Sequence, residues 1–128
     1  MTSETKKILI VEDEQDILAY FEAIFQDNGY DTVSAKDGIE GFELAKSEKP
    51  DLITLDITMP MQSGLKIYRQ FKDHPELKNI PVIIITAHND FLGIFIDDLK
   101  EYARPESIFY KPIDPRRILK LIAEILSD

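Results

Sequence analysis

Four apolar stretches of this chain each run into a residue with something reactive to offer. Leu52-Ile53-Thr54-Leu55 ends in Asp56, and Ile8-Leu9-Ile10-Val11 in Glu12-Asp13-Glu14. Val82-Ile83-Ile84-Ile85 leads to Thr86-Ala87, and Ile108-Phe109-Tyr110 to Lys111. If Glu12, Asp13 and Asp56 come within about 4–6 Å of one another, the carboxylates repel and raise each other's pKa. A hard cation makes such a pocket tolerable. Oxygen donors alone, in a chain with no cysteine and no convenient histidine pair, point to Mg2+, or Mn2+ in its place, rather than zinc or copper. Mg2+ takes one or two carboxylates and leaves positions for other oxygens. Thr86 then offers a hydroxyl, Ala87 a backbone N–H and Lys111 an ammonium. A carboxylate ringed by these groups is suited to phosphoryl transfer, with Asp56 as the nucleophile that becomes an aspartyl phosphate.

Taken singly, each of these residues has a plain explanation. Aspartate is common at strand ends and in turns, and an acidic run favours the start of a helix. The sharper reading requires the ends to meet, which is a matter of the elements that carry them.

Lys7–Val11 is a short β-branched run, apolar on consecutive positions, as a strand covered on both faces requires. A helix follows from Gln15 to about Asn28, with Ile17, Leu18, Phe21, Ile24 and Phe25 on one face, and Asn28-Gly29 closes it. Asp31–Ala35 alternates polar and apolar residues and is expected at a sheet edge. Asp37 can cap a second helix, Gly38 to about Ser47, with Ile39, Phe42 and Ala45 on its apolar side. Leu52–Asp56 is a buried strand. Ser63 is expected to cap a third helix from Gly64 to about Lys72, burying Leu65, Tyr68 and Phe71. Pro81–Thr86 is the most apolar strand, and a fourth helix is expected from Asn89 or Asp90 to near Tyr102. Ser107–Lys111 forms the fifth strand. Asp114 caps the last helix, with Pro115 in its first turn and Ile118, Leu119, Ile122, Ile125 and Leu126 buried.

Five strands alternating with five helices predict a flavodoxin-like (βα)5 fold, a doubly wound parallel sheet in a three-layer α/β/α arrangement. Right-handed crossovers, with the two more polar strands at the edges, favour strand order 2-1-3-4-5. That order sets the ends of the first and third strands side by side, where Glu12, Asp13 and Asp56 converge.

The 128 residues fit a single domain with its core at about 6–126. No apolar run approaches the roughly 20 residues that cross a bilayer, so no membrane insertion is expected. The absence of cysteine fits the cytoplasm. A net charge of −9 argues against direct nucleic-acid binding.

With these residues in place, the chain resembles a receiver domain of bacterial two-component response regulators, of the chemotaxis-receiver kind. The resemblance rests on Glu12-Asp13, on Asp56 in Asp-Ile-Thr-Met-Pro-Met-Gln-Ser-Gly, on Thr86-Ala87 and on Lys111-Pro112. It implies a phosphoacceptor switch rather than an enzyme, one that catalyses only its own phosphorylation and dephosphorylation. Asp56 would accept a phosphoryl group from a phosphohistidine on a histidine kinase or phosphotransfer protein. Asp13, Asp56 and the Thr58 carbonyl would bind Mg2+ directly, and Glu12 directly or through a water. Thr86 and Lys111 would hold phosphoryl oxygens. Output would pass to a downstream protein or a fused output domain, through the face made by the fourth helix, the fifth strand and the last helix.

Two features depart from that pattern. Receivers usually carry Tyr or Phe three residues before the lysine, and here the residue is Ile108, which is stiff at χ1. Signalling is therefore expected to use a backbone shift or Tyr110, which alternation puts on the face of Ile108. In addition, Phe91-Leu92-Gly93-Ile94-Phe95-Ile96 is too densely apolar for one helix face. It is either a remodelled core helix or part of a partner or homodimer surface spanning residues 89–110. His88 reads as an ordinary loop histidine. Two other functions use comparable parts. A Mg2+-dependent phosphohydrolase also has a strand-end Asp nucleophile, but usually wants an acid where Thr58 stands. A flavin carrier wants a Ser/Thr/Gly-rich phosphate loop where this chain has Glu12-Asp13-Glu14.

Overall fold

A computed structural model describes residues 5–57, 61–87 and 105–127, with the backbone alone for 61–65. The strands are β1 (Lys7–Val11), β2 (Asp31–Ala35), β3 (Leu52–Asp56), β4 (Val82–Thr86) and β5 (Ser107–Tyr110). The helices among the described residues are α1 (Gln15–Asp27), α2 (Gly38–Glu48), α3 (Met61–Asp73) and α4 (Pro115–Leu126). The sheet is parallel throughout, in the order β2-β1-β3-β4-β5. This is the flavodoxin-like order expected from the sequence, and the two less apolar strands do lie at its edges.

Period-two alternation divides the core into two layers. Leu9, Val11, Ile53, Leu55, Val82 and Ile84 face α2 and α3, where they meet Ala45, Ile67, Tyr68 and Phe71. Ile8, Ile10, Leu52, Ile83 and Ile85 face α1 and α4, against Phe21, Phe25, Ile118 and Ile122. The central strands β3 and β4 are buried at every position, as continuous apolar runs covered on both faces must be.

Two local expectations are corrected. Ile39 is 82% exposed rather than part of the α2 contact face. The buried residues of α2 are Gly38, Gly41 and Ala45, at helical spacing, and Phe42, as expected, packs partly buried against the same core. A Cβ on Gly38 would overlap the Ile67 side chain, and one on Gly41 would press on Val11 at 2.9 Å. The missing side chains let α2 lie close on α3 and β1, which turns Ile39 out to solvent. The third helix begins at Met61, not Gly64, so Ser63 lies inside its first turn and is not its cap. Pro60, which precedes Met61 in the sequence, lies outside the described residues. The helix expected from about 89 to 102, His88, and most of the proposed 89–110 surface lie outside the described residues.

Candidate functional site

Strand register brings the reactive ends together. Val11 pairs with Leu55, so Glu12 and Asp56 step off β1 and β3 side by side. Asp56 pairs with Ile85 on its other side, and Thr86 with Tyr110. The chain past each strand is tied to its neighbour. Glu12 N–H donates to the Ala35 carbonyl (3.0 Å), Ile57 N–H to Ile85 (2.9 Å) and Lys111 N–H to Thr86 (2.8 Å). The Lys111–Pro112 peptide is cis.

At this carboxyl edge Glu12, Asp13 and Asp56 each present a carboxylate oxygen, all within 4.8 Å of one another. Asp13 is exposed, whereas Glu12 and Asp56 are buried. Lys111 reaches into the pair. Its Nζ donates to Asp56 Oδ2 at 3.0 Å and stands 3.3 Å from Glu12 Oε1. Glu12 Oε2 accepts from Glu14 N–H (3.2 Å). Glu12 Oε1 is buried and accepts no hydrogen bond of good geometry, despite the nearby ammonium. Burial pushes the Glu12 carboxyl up to about 8, and the adjoining Asp56 carboxylate adds to the rise. Burial works against the Lys111 ammonium, but Asp56 and then Glu12 outweigh it and hold its pKa above the ordinary value. One lysine thus stands against the Asp56 carboxylate and the Glu12 carboxyl, two groups that water scarcely reaches.

Of the residues singled out from the sequence, Glu12, Asp13, Asp56 and Lys111 meet in one pocket. Thr86, buried, and Ala87, exposed, arrive at the same edge along β4. Thr58 lies outside the described residues. Glu14, to which the sequence gives no part beyond the acidic triplet, brings its Oε1 within 3.7 Å of Lys111 Nζ. The signal available in the sequence was a third acid in a row. Beside Lys111 an apolar cleft of about 540 Å³ opens between Ile17, Tyr20 and Phe21 of α1 and Pro112-Ile113. Ile108 packs on the α2/α3 side of the sheet. Tyr110, at the register position opposite Thr86, lines a groove with Arg117, Lys120 and Leu121 of α4.

The donor set fits a hard divalent cation. It is all oxygen, with the three carboxylate oxygens within 4.8 Å of one another, and includes a buried Glu12 oxygen that accepts no hydrogen bond of good geometry.

A doubly wound parallel sheet with clustered carboxylates and an ammonium at its carboxyl edge defines a protein of the CheY-like receiver class. The chain belongs to the response regulator receiver domain family, which residues 8–123 match. Among its relatives is the polar-differentiation response regulator DivK of Brucella ovis. That protein is 35% identical over 124 residues, which cover 97% of this chain and 98% of the relative. Among solved structures, the receiver domain of a signal transduction histidine kinase from Syntrophus aciditrophicus superposes with a TM-score of 0.83 at 28% identity, covering 96% of this chain and 91% of its own. The chemotaxis response regulator CheY4 of Vibrio cholerae has a TM-score of 0.82 at 24% identity, covering 96% and 100%, and shares the fold.

Proposed function

We propose that this chain is a phosphoacceptor switch in which Asp56 takes a phosphoryl group from a phosphohistidine on a histidine kinase or phosphotransfer protein. The observation that carries the reading is the Lys111 ammonium seated on Asp56 at 3.0 Å, with Glu12 and Asp13 gathered around the same carboxylate. In the reaction an Asp56 oxygen attacks phosphorus, the P–N bond to the donor imidazole breaks, and the imidazole nitrogen takes up a proton. Lys111 holds one phosphoryl oxygen, and Thr86 with the Ala87 N–H holds the others. Burial of Asp56 on β3 fixes the nucleophile and excludes competing water.

Asp13, Asp56, Glu12 and the Thr58 carbonyl are the groups assigned to Mg2+. When bound, the ion supplies charge neutralisation for the carboxylates and the incoming phosphoryl oxygens. The apolar cleft next to Lys111 gives a donor protein a surface to rest against. Output passes by contact to a downstream protein or to a fused output domain. Residues near Tyr110 and α4 are the surface assigned to that contact. A cytoplasmic location follows from the same reading.

The test is incubation with acetyl phosphate, with and without Mg2+, followed by intact-mass measurement. The wild type should gain one phosphoryl group only when Mg2+ is present, and Asp56→Asn should gain none. An adduct that survives Asp56→Asn rejects the assignment.

A further inference from the structure

The N-terminus of α1 is built differently from those of α2 and α4. Asp37 caps α2 by accepting from Glu40 N–H at 2.8 Å, and Asp114 caps α4 by accepting from Arg116 N–H at 3.0 Å. At the same position of α1 stands Glu14, a residue type that is not among the good caps, and its side chain accepts no hydrogen bond from the helix. Its carboxylate instead comes within 3.7 Å of Lys111 Nζ. The backbone of Glu14 is held against the pocket by its N–H to Glu12 Oε2.

Lys111 therefore has partners of two kinds. Glu12 and Asp56 have side chains only 1% exposed, while that of Glu14 is 62% exposed. A divalent cation claiming the oxygens of Glu12, Asp13 and Asp56 competes with the ammonium for the same carboxylates and repels it. The ammonium must then move toward solvent, and Glu14 is the solvent-side carboxylate already within reach of it.

We propose that Glu14 is a positioning residue for Lys111, taking over the ammonium when a divalent cation enters the pocket. This rests on the cation-binding part of the phosphoacceptor reading. The test is calorimetric titration with Mg2+ of the wild type, Glu14→Gln, Lys111→Met and the double variant. In the wild-type background Glu14→Gln should weaken Mg2+ binding about two- to five-fold, the range of a solvent-exposed ion pair. In the Lys111→Met background it should change nothing. Equal weakening in both backgrounds overturns the proposal, because Glu14 then acts on the cation by its charge alone. No weakening in the wild-type background overturns it as well.

If Lys111→Met does not fold, the Lys111 Cε and Nζ NMR signals of the wild type and Glu14→Gln provide the second measurement. Saturating Mg2+ should move them to different positions in the two proteins, and identical shifts overturn the proposal. A wild type that binds no Mg2+ rejects the underlying reading itself, a result distinct from the other three.

Discussion

The two ends of the sheet each carry a lysine paired with carboxylates, and they behave differently. At the amino end, Lys7 Nζ meets Glu48 Oε1 at 2.9 Å, and the Lys7 N–H donates to Asp51 Oδ2 at 2.8 Å. At the carboxyl end, Lys111 meets Asp56 at 3.0 Å. The distances are alike, so distance does not separate the two. The Lys7 and Glu48 side chains are about a third exposed or more, and water screens the pair. Asp56 and Glu12 have almost no water, so removing the ammonium would take the nearby cation from a buried carboxylate that water cannot stabilise in its place. The amino end is a clasp between β1 and the turn that leads from α2 into β3. The carboxyl end concentrates charge where a reaction can use it.

The sharpest way to break this comparison is to remove each lysine in turn. Lys111→Met should lower the stability of the ion-free protein by about 3 kcal/mol in denaturant titration, as breaking a buried pair does. Lys7→Met should leave the unfolding midpoint nearly in place. Equal losses would mean that burial is not what distinguishes the two ends.

A smaller effect follows from Glu12. Its folded pKa is raised to about 8, so the native state holds a proton that the unfolded chain has already released. The stability this contributes is complete below the ordinary glutamate range and is lost as pH rises through about 8. The melting temperature of the ion-free protein should fall across that interval, and Glu12→Gln should flatten the slope. Saturating Mg2+, which requires ionised ligands, should flatten it too and release protons on binding.

The smallest effect concerns the helix starts. Asp37→Ala should cost about 1 kcal/mol through loss of its cap, whereas Glu14→Ala should leave thermal stability almost unchanged. A comparable loss at Glu14 would mean that its carboxylate serves α1 after all.

Much of this architecture is legible in the sequence because buried parallel strands must be apolar on both faces. Leu52–Leu55 and Val82–Ile85 can hardly be anything else, and the polar positions of β2 place it at an edge. With the strand order in hand, the meeting of Glu12 with Asp56 follows from register. Hydrophobicity alone would put Ile39 on the contact face of α2, yet it faces solvent. Gly38, Gly41 and Ala45 make the closer contact by having little or no side chain, and their spacing was the sign to look for. Ser63, a familiar capping residue, suggests a later start for α3 than the one at Met61. The approach of Glu14 to Lys111 depends on how far two long side chains extend across a loop, and no spacing along the chain encodes that.

The hydrogen bond from Lys111 N–H to the Thr86 carbonyl yokes two adjacent strand tips through their main chains. Whatever tugs one tip inward carries the other along, so the two main-chain ends answer as a single lever, while the long stem of Lys111 lets its ammonium move by itself. Substitutions of either side chain leave that lever intact, and only a slip of β5 along β4 would uncouple it.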